Sequence, residues 1–494
     1  MEHASGAPAS PGLGNTALES DDGDQPKEAC GVIGVYAPGR AAAPLITDGL
    51  HALQHRGQES AGLAVKDGST ITVVKDMGLV TDVLDQRTIG CLEGDLGIGH
   101  TRYSTTGSSV WENAQPSFRS VPGADFAQAH NGNLTNTMEL AAEVGASSHG
   151  ASNDSDLISE LLARELINDA AESPSLESAL LQVLPKLEGA FSLVLMDREA
   201  LIGVRDPNGF RPLCLGRYSD GWVLASETAA LDTIGARFIR EIVPGEMIVI
   251  SPGGPPRSLH PFQPERIDPK LCIFEFVYMS RPDSYLHGRE VHGARMRMGA
   301  KLALKVPVEA DMVMGVPESG IPAAEGYAKA SGIPYGNGLV KNRYIGRTFI
   351  APNQDARERN VRRKLNVLRD QVRGKRLVVV EDSVVRGTTT RFLAKMLREA
   401  GATEVHLRVV LPQVQWPCFY GIDIGSRKEL IAAKHTTDEI REILGVDTLA
   451  YLSVQDLRDA IELPDTGFCD ACMTNNYPTA IGLRPEKNML EQAV

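Results

Sequence analysis

The sequence predicts two layered domains, an α+β domain in the first half and a doubly wound α/β domain in the second. Short strand-like runs with two helical stretches dominate residues 30 to about 255. A proline-rich stretch, SPGGPPRSLHPFQPERIDP (Ser251–Pro269), then interrupts the pattern, as domain boundaries often do. Beyond it, apolar runs alternate with helical segments, which is typical of parallel strands covered on both faces.

Three segments follow from this pattern. Residues 1–29 are rich in Gly, Ala, Ser, Pro and Asp, cannot bury much apolar surface, and are predicted to be disordered. We assign residues 30–260 to the α+β domain and 261–494 to the α/β domain. A chain of 494 residues is long enough for two or three domains with cores of their own.

Composition and charge exclude several classes of protein. The net charge of −13 argues against a general binder of nucleic acid or membrane surfaces, although it leaves room for a local basic site. The sequence has no apolar run of about 18 residues and no secretory signal, so we expect a cytoplasmic protein. Outside the secretory route, the seven cysteines favour metal binding or catalysis over a disulfide framework.

The first domain opens on Cys30, at an abrupt change from the polar tail to the apolar run GVIGVYA. A cysteine thiolate is a good nucleophile once a base takes its proton. An α-amine, with a pKa of about 7.7–8.0, can be that base for its own side chain. This chemistry requires Cys30 to be the first residue of the mature chain, so residues 1–29 read as a propeptide that is removed.

The remaining elements of the first domain follow in order. Helices are predicted near Ala42–Gln54 and Asp156–Leu166. Further strands are predicted at SAGLAVKDG, STITVVKDMG, FSLVLMDREALIGVRD, GWVLASE and EMIVIS.

Four polar residues of this domain are candidates for substrate contacts. Arg102 lies in a turn-rich segment, IGHTRYSTTG, and an arginine can clamp a carboxylate. The pair Asn131–Gly132, in AHNGNLTN, can form an oxyanion hole or an ordinary turn. Asp154, in SNDSDLI, precedes a helix and is either an N-cap or a ligand contact.

In the second domain, strands are predicted at DMVMGV, RLVVVED and EVHLRVVLP. The middle strand leads into VVVEDSVVRGTTT (Val378–Thr390), where two acids precede a Gly/Thr loop and a helix. Such a loop offers N–H groups, hydroxyls and a helix N-terminus to a phosphate, and paired acids can hold sugar hydroxyls or Mg²⁺. A plain strand–turn–helix connection is the alternative reading.

The whole string resembles the phosphoribosylpyrophosphate (PRPP) loop of type I phosphoribosyltransferases. The resemblance implies that Glu381 and Asp382 contact the ribose hydroxyls, although Asp is more usual at the first position. It also implies that Arg386 to Thr390, with Gly387, Thr388 and Thr389 between them, hold the 5′-phosphate, and Ser383 is a further implied PRPP contact.

Two further stretches can be interpreted as parts of the same PRPP site once that loop is recognised. The turn MGVPESGIPAA (Met314–Ala324), otherwise a structural turn, resembles a pyrophosphate loop. The basic stretch Lys341–Asn366 suits a mobile lid over a polyanion, although its plain reading is a solvated charged surface. The implied PRPP contacts there are Lys341 and Arg343, and the implied Mg²⁺ ligands are Ser319, Glu381 and Asp382.

The first domain resembles class II glutamine amidotransferases, which are N-terminal-nucleophile hydrolases with an αββα fold. The matching motifs are CGVIGVY, LQHRGQESAGLA, GHTRYSTTG, HNGNL and LEGAFSLV. The resemblance implies that Cys30 attacks the glutamine amide and that Arg102 and Asp154 hold the α-carboxylate and α-amine. It also implies that Asn131 and Gly132 stabilise the oxyanion.

The order of the two halves is that of the glutamine PRPP amidotransferase family, which catalyses the first committed step of purine synthesis. The implied reaction converts PRPP, glutamine and water to 5-phosphoribosylamine, glutamate and pyrophosphate. The resemblance further implies feedback inhibition by purine nucleotides, a homotetramer, and a protected passage for ammonia between the two sites.

The cysteines of the second half form the last motif. Cys469-x-x-Cys472 alone leaves zinc, a redox pair and an iron–sulfur cluster open. The contexts LCIFEF, PCFYGID and CDAC resemble the family branch that carries a propeptide together with one [4Fe–4S] cluster. That resemblance implies ligation by Cys272, Cys418, Cys469 and Cys472, with zinc as the alternative, whereas Cys91 and Cys214 are interpreted as core residues.

Two rival functions are weighed against this one. Another amidotransferase with an N-terminal nucleophile, such as a glucosamine-phosphate or asparagine synthase, has no use for the PRPP loop. A PRPP-binding regulator or an iron–sulfur oxygen sensor has no use for the set Cys30, Arg102, Asn131 and Asp154.

Overall fold

The computed structural model describes residues 30–103, 109–145, 153–168, 175–342, 362–424, 426–464 and 467–481. The predicted propeptide, residues 1–29, lies outside the described residues. So does most of the basic stretch, 343–361, including Arg343.

The first domain is built on two antiparallel sheets. The first sheet has the order β11-β9-β10-β1-β4-β2-β3 and the second β13-β12-β8-β7-β6-β5. The strands are β1 (Gly31–Tyr36), β2 (Ser60–Asp67), β3 (Thr70–Met77), β4 (Leu96–Arg102), β5 (Ser117–Arg119), β6 (Phe126–Leu134), β7 (Gly189–Met196), β8 (Leu201–Arg205), β9 (Cys214–Tyr218), β10 (Gly221–Ala225), β11 (Arg237–Glu241), β12 (Met247–Ile250) and β13 (Arg257–Leu259).

Helices cover the outer face of each sheet. They are α1 (Ala42–Ala52), α2 (Val80–Val83), α3 (Gln86–Ile89), α4 (Thr137–Val144), α5 (Asp154–Asn168), α6 (Leu176–Val183) and α7 (Thr228–Thr233). Leu50 of α1 and Leu231 of α7 pack on the first sheet, and Leu161 of α5 packs with Leu193 on the second. A third apolar cluster, which includes Val32 and Ala129, fills the space between the sheets. The layers are therefore αββα, because each sheet is apolar on both faces.

The second domain contains a four-stranded parallel sheet of order β17-β20-β21-β22. Its strands and those of three small pairs are β14 (Leu271–Cys272), β15 (Tyr285–Leu286), β16 (Arg289–Glu290), β17 (Met312–Gly315), β18 (Leu339–Lys341), β19 (Leu365–Val367), β20 (Arg376–Glu381), β21 (Glu404–Val409), β22 (Thr448–Tyr451) and β23 (Phe468–Cys469).

Helices lie on both faces of this parallel sheet, as a doubly wound fold requires. They are α8 (Val291–Lys305), α9 (Ile321–Ser331), α10 (Arg369–Val372), α11 (Thr388–Glu399), α12 (Thr437–Leu444), α13 (Val454–Ile461) and α14 (Ala471–Thr474), with a π-helix at Glu275–Met279. Val378 of β20 packs toward α8 and α9, whereas its neighbour Val379 packs toward α11 and α12. This alternation explains the continuous apolar run RLVVV, since both faces of the strand are buried.

Several local expectations need correction. Arg102 is the last residue of β4, not part of a turn, and the HNGN motif lies within β6. Cys214 is buried as expected, but Cys91 is exposed at the surface and is not a core residue. No helix in the described part of the chain is long and apolar enough to cross a membrane.

Candidate active sites

Cys30 lies immediately before β1 and is 7% exposed. Its thiol donates to the Tyr103 carbonyl at 3.4 Å and accepts from the Tyr103 N–H at 3.5 Å. Burial raises the pKa of this thiol to about 11, and the Tyr103 hydrogen bond and the Arg102 charge offset only part of that rise. The sulfur is therefore a neutral thiol near pH 7 and needs a nearby base to become a nucleophile.

Cys30 lines a cleft together with three of the other predicted glutamine-site residues. The cleft walls are formed by Cys30, Arg102, Tyr103, Gln115, His130, Gly132, Asn153, Asp154 and Ser155. Arg102 comes from the end of β4 and Asp154 from the start of α5, so opposite charges face one cavity beside the thiol. An amino acid carries both charges at one end, and this arrangement can bind that end by charge complementarity.

Asp154 is not the N-cap of α5. The residue before it, Asn153, accepts the N–H of Asp156 at 3.0 Å and is thus the N-cap of α5. The Asp154 carboxylate instead accepts the N–H groups of Leu134 at 3.2 Å and Ser155 at 2.9 Å. Because Asn153 provides the cap, Asp154 is left to form part of the cleft wall.

Asn131 and Gly132 lie on opposite faces of β6, since neighbouring strand residues alternate. Asn131 shares its face with Ala129, which packs between the two sheets beside Val32. Cys30 lies two residues before Val32 and therefore faces the same space. Asn131 is fully buried, and neither its amide nitrogen nor its oxygen has a hydrogen-bond partner within the described residues.

Gly132 contributes backbone to the cleft, and no larger residue fits there. Its φ is +152°, and a Cβ would lie 2.0 Å from the Ala190 carbonyl oxygen. A buried amide without partners next to a cleft-lining glycine is the arrangement that an oxyanion hole requires.

The second candidate site lies at the carboxyl ends of β17 and β20. Ser319, in the loop after β17, donates its hydroxyl to Asp382, and the Ser383 hydroxyl reaches the other carboxylate oxygen at 2.5 Å. Burial raises the pKa of Asp382, although these two hydroxyls and the Arg295 charge oppose the rise. Glu381 is also buried, at the end of β20. The two loops predicted for pyrophosphate and ribose 5-phosphate thus meet at Asp382.

The phosphate end of this site is a helix N-terminus. Gly387, with φ of +80°, precedes α11, which begins at Thr388 and continues through Thr389. Arg386 is turned toward Glu429, with an Nη2–Oε2 distance of 2.6 Å. Lys341 is exposed at the end of β18. The structure therefore brings the acids and hydroxyls together but does not bring Arg386 or Lys341 to them.

Both carboxylates and the Ser319 hydroxyl suit Mg²⁺, which binds proteins through one or two carboxylates and completes its shell with water and substrate phosphates. No group of three or more His, Cys, Asp or Glu side chains in the described ranges is arranged to hold a metal ion. The acids at β20 fit an ion that arrives with a polyphosphate, since such an ion needs few ligands from the protein.

The four cysteines of the second half converge although they are distant in sequence. β14 pairs with β23 in parallel, so that Cys272 is the register partner of Cys469. All four thiols are free and interact electrostatically with one another. A single zinc ion requires four sulfurs at about 2.3 Å from one point, and the described residues contain no such group. The described residues thus bring the four thiols into one region without showing which metal group they hold.

A buried network of charges, which the sequence did not reveal, joins the two halves. Arg56, in the LQHRGQE motif, is fully buried and pairs with Glu227 and, at 2.6 Å, with Glu275 of the π-helix. Glu275 also pairs with Arg211 at 3.3 Å. Gly57, next to Arg56, packs so tightly that a Cβ would lie 2.6 Å from the Arg102 backbone. The network therefore connects the β4 end of the cleft with the second domain.

Comparison with known proteins identifies both halves. A model of the glutamine amidotransferase domain matches residues 100–233, and a model of the phosphoribosyl transferase domain matches residues 283–415. An amidophosphoribosyltransferase from Mycobacterium leprae is 51% identical over 486 residues, covering 96% of this chain and 85% of that protein. One from Synechococcus elongatus is 49% identical over 474 residues and covers 95% of both chains.

Solved structures agree over the whole length. The glutamine PRPP amidotransferase from B. subtilis, complexed with ADP and GMP, is 42% identical with a TM-score of 0.84, covering 93% of this chain and all of that one. A structure described as the allosteric regulatory enzyme of purine biosynthesis is 43% identical with a TM-score of 0.85, covering 94% and 99%. The chain therefore belongs to the amidophosphoribosyltransferase family, whose enzymes catalyse the first step of purine biosynthesis.

Proposed function

We propose that this amidophosphoribosyltransferase acts after removal of residues 1–29, with Cys30 as an N-terminal nucleophile. The observation that carries the proposal is the single cleft that joins Cys30, Arg102, Gly132 and Asp154. Within it, the raised pKa of the Cys30 thiol calls for a base. The α-amine that cleavage would expose on the same residue meets that need at about pH 8.

The glutamine half-reaction then uses groups already in place. Arg102 binds the α-carboxylate and Asp154 the α-amine, which directs the side-chain amide toward the thiol. The α-amine of Cys30 takes the thiol proton as sulfur attacks the amide carbon. The oxyanion accepts hydrogen bonds from the Asn131 amide, which has no other partner within the described residues, and from the Gly132 N–H. The amine returns the proton to the leaving ammonia, and water hydrolyses the thioester to glutamate.

The second half-reaction takes place at the ends of β17 and β20. Glu381 and Asp382 bind the ribose hydroxyls, and Ser383, Gly387, Thr388 and Thr389 hold the 5′-phosphate at the start of α11. Arg386, Lys341 and Arg343 approach the bound polyanion. Mg²⁺, bound by Ser319, Glu381 and Asp382 together with pyrophosphate, would offset charge on the leaving group. Ammonia displaces pyrophosphate from the ribose carbon to give 5-phosphoribosylamine.

We assign the four converging cysteines, Cys272, Cys418, Cys469 and Cys472, to one [4Fe–4S] cluster. The pairing of Cys272 with Cys469 and the mutual interactions of the four thiols support a shared site, and zinc is the alternative. Bound there, the cluster would cross-link β14, the Cys418 turn and β23, and so tie the end of the chain to the transferase domain. With both a propeptide and a cluster proposed, we propose that the chain belongs to the family branch that carries the two together.

The remaining assignments follow the family. PRPP and glutamine are the substrates, and purine nucleotides are feedback inhibitors, in keeping with the ADP and GMP bound to the B. subtilis relative. We further propose a homotetramer that works in the cytoplasm. The domain division at residues 260 and 261 stays a prediction.

The intact mass of protein purified without oxygen tests the nucleophile. A mass lacking residues 1–29 supports an N-terminal Cys30. An active enzyme of full-length mass would contradict it, because the α-amine would still be part of a peptide bond.

Iron and acid-labile sulfide, measured on the same sample, test the metal assignment. Four of each per chain support the cluster, whereas zinc without sulfide supports the alternative.

A further inference from the structure

Arg211 occupies an unusual place between the two halves. It belongs to the loop after β8 in the glutaminase domain and is fully buried. Its backbone carbonyl accepts the Ser192 hydroxyl at 3.1 Å, and Ser192 is the register partner of Asn131 in the neighbouring strand. The main chain of Arg211 is therefore anchored beside the proposed oxyanion residue.

The side chain of Arg211 points the other way, into the second domain. Its Nη2 donates to the Tyr420 carbonyl at 2.7 Å, and its Nη1 contacts Glu275 at 3.3 Å and the Met279 sulfur at 3.2 Å. The adjacent ring of Phe210 stacks on Tyr420 with centroids 4.1 Å apart. One short loop of the glutaminase domain thus holds the turn that contains Cys418 and Tyr420.

The turn that contains Cys418 and Tyr420 packs against β6, the strand that carries Asn131 and Gly132. A Cβ on Gly421 would lie 3.2 Å from the Gly132 carbonyl carbon, so the two glycines are in close contact. The Asn133 amide donates to the Phe419 carbonyl at 3.1 Å. The backbone around Gly132 is therefore supported directly by the segment that carries one of the four converging cysteines.

The guanidinium also lies near the cysteine segments, since the Tyr420 N–H, on the residue whose carbonyl it binds, donates to the Cys418 sulfur at 3.4 Å. It interacts electrostatically with Cys272 and Cys418, and the Cys272 N–H donates to the Phe210 carbonyl at 3.1 Å. The buried Nε–H of Arg211 has no acceptor within the described residues. A fixed positive charge with a spare donor suits a site that becomes strongly negative when four thiolates bind iron, since second-shell donors orient ligands and tune clusters.

We propose that Arg211 is a positioning residue that couples the cysteine site to glutaminase activity. It holds the Cys418–Gly421 turn against Gly132 and offers its remaining N–H to the metal-bound sulfurs. This inference rests on the proposed cluster. Loss of the cluster then loosens the oxyanion hole, and a change at Arg211 alters the properties of the cluster.

The test compares Arg211→Lys with wild type and with Arg240→Lys, all purified without oxygen. Lysine keeps the charge but loses the planar fork. The control residue, Arg240, instead pairs with Glu246 and Ser258 within the glutaminase domain. For Arg211→Lys we expect glutamine-dependent turnover to fall about 10- to 100-fold, as is typical of second-shell changes. We expect ammonia-dependent turnover to stay within twofold.

A spectroscopic measurement accompanies the kinetics. Visible absorbance of the Arg211→Lys cluster should bleach in air at least threefold faster than in wild type or Arg240→Lys. An unchanged ratio of glutamine to ammonia turnover, or unchanged bleaching, overturns the proposal. If wild type contains no iron, the cluster assignment and this inference both fail, whereas normal iron with no coupling removes only the inference.

A second variant covers the case in which Arg211→Lys fails to fold. Asn133→Ala removes the hydrogen bond to Phe419 from the glutaminase side and leaves Arg211 intact. We expect the same selective loss of glutamine-dependent turnover, of about threefold or more. The visible absorbance of the cluster should bleach in air at the wild-type rate. Parallel loss of both turnovers in Asn133→Ala overturns the proposal.

Discussion

The two candidate sites differ in how much of each is assembled. In the glutamine site, Cys30, Arg102 and Asp154 are all less than 10% exposed and line one cleft. In the phosphoribosyl site, the acid and hydroxyl groups meet at Asp382, but Arg386 binds Glu429 and Lys341 is exposed. The first site is held by strands and a capped helix, and the second by loops at the ends of parallel strands.

This difference follows from the ligands. Glutamine is small and nearly neutral, so its site can be formed by the fold in advance, with one charge of each sign. PRPP carries many negative charges, and cations packed together without it would repel one another. We infer that the substrate itself gathers Arg386 and Lys341 at the second site, whereas the charged residues of the first site already line its cleft.

The largest effect is expected from Cys30→Ser, which should abolish the activity of the glutamine site and leave that of the phosphoribosyl site. A hydroxyl is a far weaker nucleophile than a thiolate, so glutamine-dependent synthesis should fall at least about 1,000-fold. Ammonia-dependent synthesis should stay within about twofold, because the second site is intact. Both rates are measured as pyrophosphate release. A comparable fall in the two rates would show that the sites are not separable.

The buried network of Arg56, Glu227 and Glu275, which connects the two domains, is expected to lose stability in acid more than other parts of the molecule. Burial raises the pKa of Glu227, but the charges of Arg56 and His55 outweigh burial and hold the pKa well below its usual value. Stability from this pair is therefore complete above about pH 4.5, the ordinary Glu value, and is lost as the pH falls toward the lowered pKa. Glu227→Gln should cost about 3–5 kcal/mol near pH 7 and flatten the acid dependence.

Thermal unfolding of wild type and Glu227→Gln between about pH 2 and pH 8 checks this expectation, since the predicted loss lies below about pH 4.5. Glu246→Gln is the matched control, since Glu246 pairs with an arginine that is 38% exposed. A loss of stability in Glu246→Gln as large as that in Glu227→Gln would mean that the buried network contributes no more to stability than a partly exposed ion pair.

An intermediate effect is expected at the second site from Asp382→Asn. The change removes a buried charge that accepts two hydroxyl bonds, worth about 1.5–3 kcal/mol each to a charged group. Glutamine- and ammonia-dependent synthesis should fall together by about 10- to 100-fold. The control is Asp311→Asn, at the opposite end of the same sheet, where Asp311 pairs with Arg376. A selective loss of only the glutamine-dependent rate would contradict the assignment of Asp382 to PRPP.

The smallest effect is expected from Glu429→Gln, which releases Arg386. An exposed ion pair is worth about 0.2–1 kcal/mol, so the KM for PRPP should fall by no more than about fivefold. The gain should shrink as salt rises from 0.05 to about 0.5 M, since salt screens exposed charges. A raised KM would mean that Glu429 orients Arg386 for PRPP, and not away from it.

Much of this architecture could be predicted from local sequence. Apolar runs located β1, β17, β20 and β21, because burial on one or both faces leaves a pattern within a few residues. The placement of Arg102 was wrong, because the polar segment that follows it reads as a turn although β4 extends to Arg102 itself. The N-cap of α5 was one residue off, since Asn153 and Asp154 are equally good caps by type.

Other features were beyond the reach of local patterns. Arg56 meets Glu275 from 219 residues away, and Asn133 meets Phe419 from 286. Charged residues in one sequence carry no sign of their partners, and isolated charges are usually solvated. One pattern could have indicated the buried network. The motif LQHRGQE places two charged residues and a histidine directly after the apolar helix α1.

The parallel pairing of β14 with β23 has a consequence for biosynthesis. Cys272 leaves the ribosome when synthesis of the second domain has barely begun. Cys469 and Cys472 leave it only when synthesis of that domain is nearly complete. The glutaminase sandwich, complete at Leu259, has by then had time to fold. The four thiols can meet only after nearly all of the chain has been translated. The Gly132–Gly421 contact, which needs the turn at Cys418, is therefore also made late, after the glutaminase sandwich has formed.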